Sequence, residues 1–104
     1  RHVDQRRLRV VHWGLVPAWS RDAAGAARLI NARSETVAEK PSFKAAFARR
    51  RCIVPMDGWY EWSGPGKQPW YISSIAGMSA VAGIHEWWRP ANADPNDPLS
   101  VLHT

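Results

Sequence analysis

Short apolar runs separated by turn-forming residues dominate the second half of the chain. Runs in which apolar side chains recur with a period of two are typical of β-strands, and Gly, Pro and Ser clusters between them are typical of tight turns. The pattern therefore predicts a β-meander with turns at residues 63–67 and around Ala76 and Gly77. Its predicted strands cover residues 52–54, 58–62, 69–73 and 78–87.

The first half of the chain is less regular, although the pattern predicts two extended segments there. Leu8, Val10 and His12 alternate with charged or bulky neighbours, which predicts a strand over residues 6–13. A turn and a loop rich in small and charged side chains follow this strand. Residues 29–33 are predicted to form a second, short extended segment.

Two serines are predicted to begin short helical segments. Ser34 precedes one helical turn, and Ser42 precedes Phe43 and Ala46, which follow at helical spacing. Serine is a favoured N-cap because its hydroxyl accepts a hydrogen bond from a backbone N–H group of the first turn. Residues 49–51 are three consecutive arginines at the end of the second helix, where cations interact favourably with the helix dipole. Phosphate binding is the open alternative for these arginines.

The end of the chain combines a loop with a further strand. Residues 89–98 are polar and rich in proline, which predicts a loop, and residues 99–103 are predicted to begin a strand. A chain of 104 residues suffices for one core, so we expect a single domain. Its predicted class is α+β, mostly β, with a meander or barrel-like sheet and a few short helices. Because the chain lacks an initiator Met and stops inside a predicted strand, we expect residues 1–104 to be part of a larger domain.

Positive charge is concentrated in the first half of the chain. Residues 1–51 carry 12 basic and 4 acidic side chains, a net charge of +8, whereas residues 52–104 carry 2 basic and 5 acidic ones, a net charge of −3. A basic half of this kind favours a polyanionic partner such as nucleic acid. A solvated basic face is the open alternative. The seven Trp side chains add large flat surfaces that stack well on planar ligands.

Composition excludes several classes of protein. Cys52 is the single cysteine, which excludes an internal disulfide framework. The sequence contains no run of about 18 apolar residues that would span a membrane, and no charged leader followed by an apolar run. We therefore expect a cytoplasmic location and no membrane partner.

Glu61 is the first candidate for acid–base chemistry. On a strand it shares a face with Trp59, while Tyr60 and Trp62 occupy the other face. A carboxyl among indoles is expected to be poorly solvated, which suits proton transfer. The alternative is a glutamate at a strand edge that faces water or pairs with an arginine.

Asn31 and Arg33 form a second candidate site because they share one face of their predicted segment. A planar amide beside a guanidinium group can hold a phosphate or polarise a carbonyl group. The same two side chains can also cap a turn and pair with Glu35. The local sequence leaves both interpretations open.

Two further features fail as signals of chemistry. Cys52 lies in an apolar strand, where we expect an inert thiol. His85 and Glu86 begin like the helix of a zinc protease, but Arg89 occupies the position of the second histidine ligand. The remaining histidines lack metal-ligand spacing, so we expect neither a metal nor a cofactor.

Four ordered motifs of the chain resemble those of the SOS response-associated peptidase (SRAP) family. They are residues 13–19 (Trp-Gly-Leu-Val-Pro-Ala-Trp), 30–36 (Ile-Asn-Ala-Arg-Ser-Glu-Thr), 51–62 (Arg-Cys-Ile-Val-Pro-Met-Asp-Gly-Trp-Tyr-Glu-Trp) and 82–86 (Ala-Gly-Ile-His-Glu). The third motif is the most diagnostic. The family includes bacterial abasic-site processing proteins and a eukaryotic 5-hydroxymethylcytosine-binding homologue, and the resemblance implies an SRAP-like fold.

The resemblance implies a DNA-damage function. In this family an N-terminal cysteine reacts with the aldehyde of an abasic site in single-stranded DNA and closes to a thiazolidine, and the fold is also credited with removing its own leading residues. Asn31 matches the position that orients the ring-opened sugar, and Glu61 matches the proton donor and acceptor. Arg33 matches a phosphate contact, while Trp13 and Trp19 match a motif that lies beside the DNA.

Two reactive parts of the family pattern are absent from residues 1–104: the leading Cys-Gly-Arg and the downstream His-x-Arg-Met-Pro motif. Cys52 cannot replace the first cysteine, because the thiazolidine needs the α-amine and thiol of one residue. We therefore expect this stretch alone to form no cross-link and to be inactive, whereas the complete protein would be a lyase or hydrolase. The alternatives are a non-catalytic single-stranded nucleic-acid binding module and a peptidase acting on other proteins. Exposed strand edges also predict a possible homodimer.

Overall fold

Strands account for most of the regular structure in the computed structural model, which describes residues 5–104. The predicted class, α+β and mostly β, is confirmed. Two short 3₁₀ turns, Ala26–Arg28 and Pro98–Ser100, accompany the main elements. These elements are α1 (Lys44–Arg49), β1 (Arg51–Met56), β2 (Gly58–Ser63), β3 (Gln68–Ser73), β4 (Ser79–Ile84), β5 (Trp87–Trp88) and β6 (Leu102–His103).

The chain folds as two units, and the prediction of a single partial domain remains a prediction. The first unit contains residues 5–50 and 85–104, and the second contains Arg51–Ile84. No helix of the described residues is long and apolar enough to cross a membrane.

The second unit is a long β-hairpin whose strands pair in a nested order. β2 pairs with β3 from Gly58 opposite Ser73, and β1 pairs with β4, both antiparallel. Asp57 alone separates β1 from β2, whereas residues 74–78 separate β3 from β4. The two inner strands therefore pair with each other and the two outer strands pair with each other. In a meander, by contrast, each strand would pair with the next one along the chain. The sheets of the described residues stay two-stranded and form no closed barrel.

The two faces of the β2–β3 hairpin are both aromatic. Tyr60 and Tyr71 lie directly opposite each other with ring centroids 5.1 Å apart, and Trp62 lies 6.3 Å from Tyr60 on the same face. Trp59 and Glu61 lie on the other face, as the sequence predicted. No residue of Arg51–Ile84 is fully buried.

The core of the described residues lies in the first unit. Val16, at 1% exposure, packs with Ala26 and Trp88. The Trp88 indole N–H donates to the Ser20 carbonyl at 2.7 Å, which fixes the indole as it fills the core. Phe43 contributes a further buried side chain just before α1. The core is therefore assembled from loops and short elements that are distant in sequence.

Two predicted strands are wrong in part or in full. Residues 6–13 form no strand; there the His12 N–H donates to the His103 carbonyl at 2.8 Å, while Leu8 and Val10 are almost fully exposed. Alternation alone does not make a strand where a continuous hydrogen-bonding partner is missing. The predicted strand over residues 99–103 begins only at Leu102, because the preceding Pro98–Ser100 forms a 3₁₀ turn.

Two smaller predictions also differ from the structure. β4 ends at Ile84 instead of continuing to residue 87. Ser42 does not cap α1, because the N-cap position is occupied by Phe43 and no side chain makes a capping hydrogen bond there. The helix therefore begins at Lys44, one residue later than a cap at Ser42 would give.

Candidate functional site

The loop of residues 13–19 is tied to the segment that carries Asn31. The Trp13 indole N–H donates to the Ile30 carbonyl at 2.9 Å, and the Leu15 N–H donates to the Leu29 carbonyl at 3.0 Å. Gly14 permits this close packing, because a Cβ atom there would lie 2.5 Å from the Ala26 carbonyl oxygen and its φ is +116°. The first motif therefore positions the second one.

Trp13 and Trp19 keep large parts of their indoles accessible. Trp13 is 56% exposed although its N–H group is engaged, and Trp19 is 67% exposed. Indoles at the surface are suited to stacking on nucleobases. The geometry is compatible with the predicted DNA-binding role of both side chains and adds a structural role for Trp13.

Asn31 and Arg33 are both exposed, and neither side chain forms a hydrogen bond or ion pair with the rest of residues 5–104. The alternative in which Arg33 pairs with Glu35 is not found; Glu35 instead accepts a hydrogen bond from the Ser34 hydroxyl at 3.4 Å. The Arg33 carbonyl accepts from the Val37 N–H at 2.9 Å, which fixes the backbone of the motif. The amide and the guanidinium are therefore available to a ligand.

Glu61 is oriented by an indole but is not desolvated. The Trp59 indole N–H donates to the Glu61 Oε1 atom at 3.1 Å, and Trp70 lies directly opposite Glu61 on β3. The expectation of a poorly solvated carboxyl is wrong, because Glu61 is exposed. The hydrogen bond from Trp59 therefore orients the Glu61 side chain, while the remaining lone pairs of the carboxylate are open to other donors.

Cys52 has the environment of an unreactive thiol. It is half-buried on β1, and burial raises the pKa of the thiol. Its sulfur lies close to Gly83 of the paired strand β4, where a Cβ atom would come within 3.0 Å of it. The thiolate is thus disfavoured, which agrees with the predicted structural role.

The residues that begin like a zinc-protease motif do not lie on a helix. Trp87 and Trp88 form β5, and the preceding Glu86 is 5% exposed and engaged in an ion pair. Within residues 5–104, no group of three or more His, Cys, Asp or Glu side chains is placed to hold a metal ion.

The sequence interpretation missed a buried polar network in the first unit. The Arg50 Nη2 atom donates to the Glu86 Oε2 atom at 2.7 Å, and Glu86 Oε1 accepts from the Trp87 N–H at 3.0 Å. The Glu86 and Thr104 backbones exchange two hydrogen bonds, and the Thr104 hydroxyl accepts from the Val16 N–H at 3.1 Å. The sequence carried a signal for this network. In an extended segment Glu86 would share a face with the apolar residues Ile84 and Trp88, and a carboxylate on a buried face needs a buried partner.

The predicted site residues divide between the two units. Trp13, Trp19, Asn31 and Arg33 belong to the first unit, and Glu61 belongs to the second. The structure joins Trp13 to the Asn31 segment and Trp59 to Glu61.

Comparison with known proteins identifies relatives over almost the whole chain. The family model of the SOS response associated peptidase (SRAP) matches residues 1–104. The abasic site processing protein YoqW of Bacillus subtilis is 36% identical over 97% of this chain and 47% of its own length. The abasic site processing protein HMCES of Xenopus tropicalis is 39% identical over 86% of this chain and 34% of its own.

A solved structure supports the same grouping. The crystal structure of a protein from Bacteroides thetaiotaomicron superposes with a TM-score of 0.73 and 33% identity, covering 90% of this chain and 41% of that one. The chain thus spans about half the length, or less, of the relatives it matches. With a family model that matches all 104 residues and relatives above 30% identity, the chain belongs to the SOS response associated peptidase (SRAP) family.

Proposed function

We propose that this chain contributes the core of a domain that binds single-stranded DNA and processes abasic sites. The observation that carries the proposal is Glu61, an exposed carboxylate whose direction is fixed by the Trp59 indole. A general acid or base must reach the substrate with a free lone pair or proton, and an oriented, open carboxylate meets that condition. The names of the Bacillus and Xenopus relatives support abasic DNA as the substrate.

The chemistry we propose is a cross-link between an N-terminal cysteine of the complete domain and the lesion. The α-amine adds to the aldehyde carbon of the ring-opened sugar, and loss of water gives a Schiff base. The thiol then adds to the C=N bond, its proton passing to the nitrogen, and a thiazolidine results. Glu61 would carry the protons of these steps. Cys52 has no part in them, because it lies within β1 and has no free α-amine.

The remaining predicted residues would place the DNA. Asn31 offers an amide to the hydroxyl groups of the opened sugar, and Arg33 offers a guanidinium to a phosphate. Both side chains are exposed and unengaged within residues 5–104, which supports these roles. Trp13 and Trp19 would stack on bases. Removal of the domain's own leading residues would use the same Glu61.

A second candidate function is a non-catalytic single-stranded nucleic-acid binding module. The net charge of +8 on residues 1–51 and the exposed indoles favour it, since neither feature requires chemistry. Such a module would bind with salt-dependent affinity and little preference for a lesion.

Two further proposals concern assembly and location. We propose that the open edges of the two-stranded sheets permit a homodimer. We also propose that the protein acts in the cytoplasm and joins the nucleoid after DNA damage.

The test uses a chimera in which the flanking segments of the Bacillus relative are joined to residues 1–104. We expect a heat-stable adduct with an abasic oligonucleotide, formed more slowly by a Glu61→Gln variant that still binds the DNA. The isolated 104-residue chain serves as a control and should bind without forming an adduct. Equal loss of binding and adduct formation in the Glu61→Gln variant would make Glu61 structural and refute its proposed role.

An Arg33→Ala variant separates phosphate binding from lesion chemistry. We expect weaker binding to abasic and intact oligonucleotides alike, with the slope of log affinity against log salt reduced by about one. If the affinity and the salt slope stay unchanged, Arg33 does not contact the DNA. If the chimera binds abasic and intact oligonucleotides equally and forms no adduct, the binding module replaces the enzyme as the best function.

A further inference from the structure

The two oxygen atoms of the Glu61 carboxylate have different surroundings. Oε1 accepts a hydrogen bond from the Trp59 indole N–H at 3.1 Å, whereas Oε2 has no hydrogen bond or ion pair with any of residues 5–104. An ionised carboxylate accepts at both oxygens, so Oε2 keeps its lone pairs for a ligand. The oxygen best placed to exchange a proton with a substrate is therefore Oε2.

An exposed glutamate holds one orientation only where a contact fixes it. The side chain has three rotatable bonds, and the loss of rotamer freedom opposes any single arrangement. Across the described residues 5–104, the Trp59 indole N–H is the one group that donates to the Glu61 carboxylate. Without that donor the carboxylate would be distributed over several rotamers, and few of them would present Oε2 to a substrate in the productive direction.

Trp59 is suited to fix Glu61 because the hairpin fixes the position of Trp59 itself. It lies opposite Ile72 of β3 and two residues before Glu61, so the indole and the carboxylate project from the same face of the hairpin. Its exposed fraction is 37%, the lowest of the three tryptophans of the second unit, since Trp62 is 61% and Trp70 is 55% exposed. Strand pairing and partial burial therefore hold the donor in place.

The two other indoles near Glu61 make no such contact. Trp70 lies directly opposite Glu61 on β3, yet its indole N–H forms no hydrogen bond within residues 5–104. Trp62 follows Glu61 in sequence, projects from the other face and lies 6.3 Å from Tyr60. Trp70 therefore matches Trp59 in residue type, face and proximity to Glu61, and differs from it in lacking the hydrogen bond.

We propose that Trp59 is a positioning residue of the abasic-site reaction, whose indole N–H holds Oε1 of Glu61 so that Oε2 faces the substrate. The assignment rests on the proposed function and deepens it, because it names the group through which Glu61 is aimed and the oxygen that carries the proton. As the amine adds to the aldehyde carbon, the C–N bond forms and the C=O π bond breaks. The proton then passes from the nitrogen through Oε2 to the oxygen that becomes the carbinol hydroxyl.

The test measures the rate of adduct formation and the affinity for DNA separately in the chimera. Trp59→Phe keeps an aromatic ring on the strand and removes the donor. At saturating abasic oligonucleotide we expect it to slow adduct formation by about tenfold, the scale of one hydrogen bond to a charged group, while the affinity for the DNA stays unchanged. Trp70→Phe is the matched control, since it also removes an indole N–H from this face, and it should leave the rate unchanged.

A double-mutant cycle distinguishes positioning from a general structural role. If Trp59 acts through Glu61, adding Trp59→Phe to the Glu61→Gln variant should slow the residual reaction little further. If Trp59→Phe merely loosens the hairpin, it should slow the reaction by the same factor with Glu61 and with Gln at position 61. That result would overturn the assignment, so the cycle decides the question even where the variant disturbs the fold.

The remaining outcomes separate this assignment from the proposed function. If the parent chimera forms no adduct with abasic DNA, the proposed function fails and the assignment of Trp59 fails with it. If the parent chimera forms the adduct but Trp59→Phe reacts at the parent rate, the assignment alone is overturned. The same conclusion follows if Trp59→Phe and Trp70→Phe slow the reaction equally.

Discussion

The two units differ in how regular structure and burial are related. Arg51–Ile84 forms four strands in continuous ladders, yet none of its residues is fully buried. Residues 5–50 and 85–104 contain one helix of six residues and two strands of two, yet they hold every buried residue of the described chain. Regular hydrogen bonding and a packed core are therefore carried by different parts of this chain.

The difference shows that strand patterns and cores have separate physical causes. A hairpin forms where alternation and a good turn coincide, and both are local; the turn here has Gly64 at φ +80° and Lys67 at φ +49°. A core forms where side chains distant in sequence meet, as Val16 and Trp88 do. Two-stranded hairpins are marginally stable alone. We therefore expect the stability of the first unit to depend on individual tertiary contacts between side chains. We expect the stability of the second unit to depend on the backbone hydrogen bonds between its strands and on its aromatic pairs.

The largest effect is expected from breaking the partly buried Arg50–Glu86 ion pair of the first unit. Glu86→Ala leaves the Arg50 guanidinium, whose side chain is 25% exposed, without its partner. Removing one member of a buried pair costs about 3–5 kcal/mol in the free energy of unfolding. Because Arg50 is partly exposed, we expect a loss of no more than about 3 kcal/mol. Urea unfolding followed by circular dichroism measures the loss, and amide exchange of Thr104, which bonds to the Glu86 carbonyl, locates it.

An exposed glutamate of the same unit provides the control for this experiment. Glu39→Ala should change the free energy of unfolding by no more than about 0.5 kcal/mol, because surface substitutions away from specific contacts have small effects. If Glu86→Ala and Glu39→Ala destabilise the chain equally, the Arg50–Glu86 pair does not hold the first unit together.

A smaller effect is expected from disturbing the aromatic face of the second unit. A Cβ atom at Gly58 would lie 2.5 Å from the Tyr71 ring and from the Ile72 carbonyl oxygen. Gly58→Ala must therefore displace Tyr71, which also packs on Tyr60, and overpacking of this kind costs about 1–3 kcal/mol. Amide exchange across β2 and β3 measures the change. Gly66→Ala, at a position with no atom within 4 Å, is the matched control and should be nearly neutral.

The sequence predicted the second unit better than the first, because strand patterns are local in sequence whereas the contacts of a core are not. Residues 58–62 and 69–73 were correctly assigned as strands, and Trp59 and Glu61 were correctly placed on one face, because period-two alternation and turns are readable locally. Residues 6–13 show the same alternation but have no continuous ladder, which depends on a partner and not on the pattern.

The same distinction between local patterns and contacts in space applies to the candidate site. The motifs predicted Glu61, Asn31 and Arg33 as site residues, but they could not predict the exposure of Glu61, which depends on what surrounds the strand in space. Arg50 was assigned to a helix end or to phosphate, and its partner Glu86 lies 36 residues away, beyond the reach of a local pattern.

The smallest expected effect is a pH dependence that arises from His85 in the first unit. Burial, followed by the nearby Arg50, lowers the pKa of His85 below 6.5, with Arg9 and His103 acting in the same direction and Glu86 opposing them. The unfolded chain therefore binds the proton more readily, so this contribution to stability is complete above about pH 6.5 and is lost as the pH falls towards the lowered value. His85→Gln should flatten the curve of unfolding free energy against pH in this window. The change should be small because the ring is only partly buried.

The second unit supplies the internal reference for this measurement, because Arg51–Ile84 contains no histidine. Signals of the His85 and Trp87 rings, whose centroids are 6.2 Å apart, should follow one titration in the parent chain, while the ladder amides of β2 and β3 should not follow it. Parallel stability curves for the parent and His85→Gln would mean that His85 does not couple to folding. A titration seen equally in the β2–β3 ladder would contradict this assignment, because the charged groups that act on the pKa of His85 all lie in the first unit.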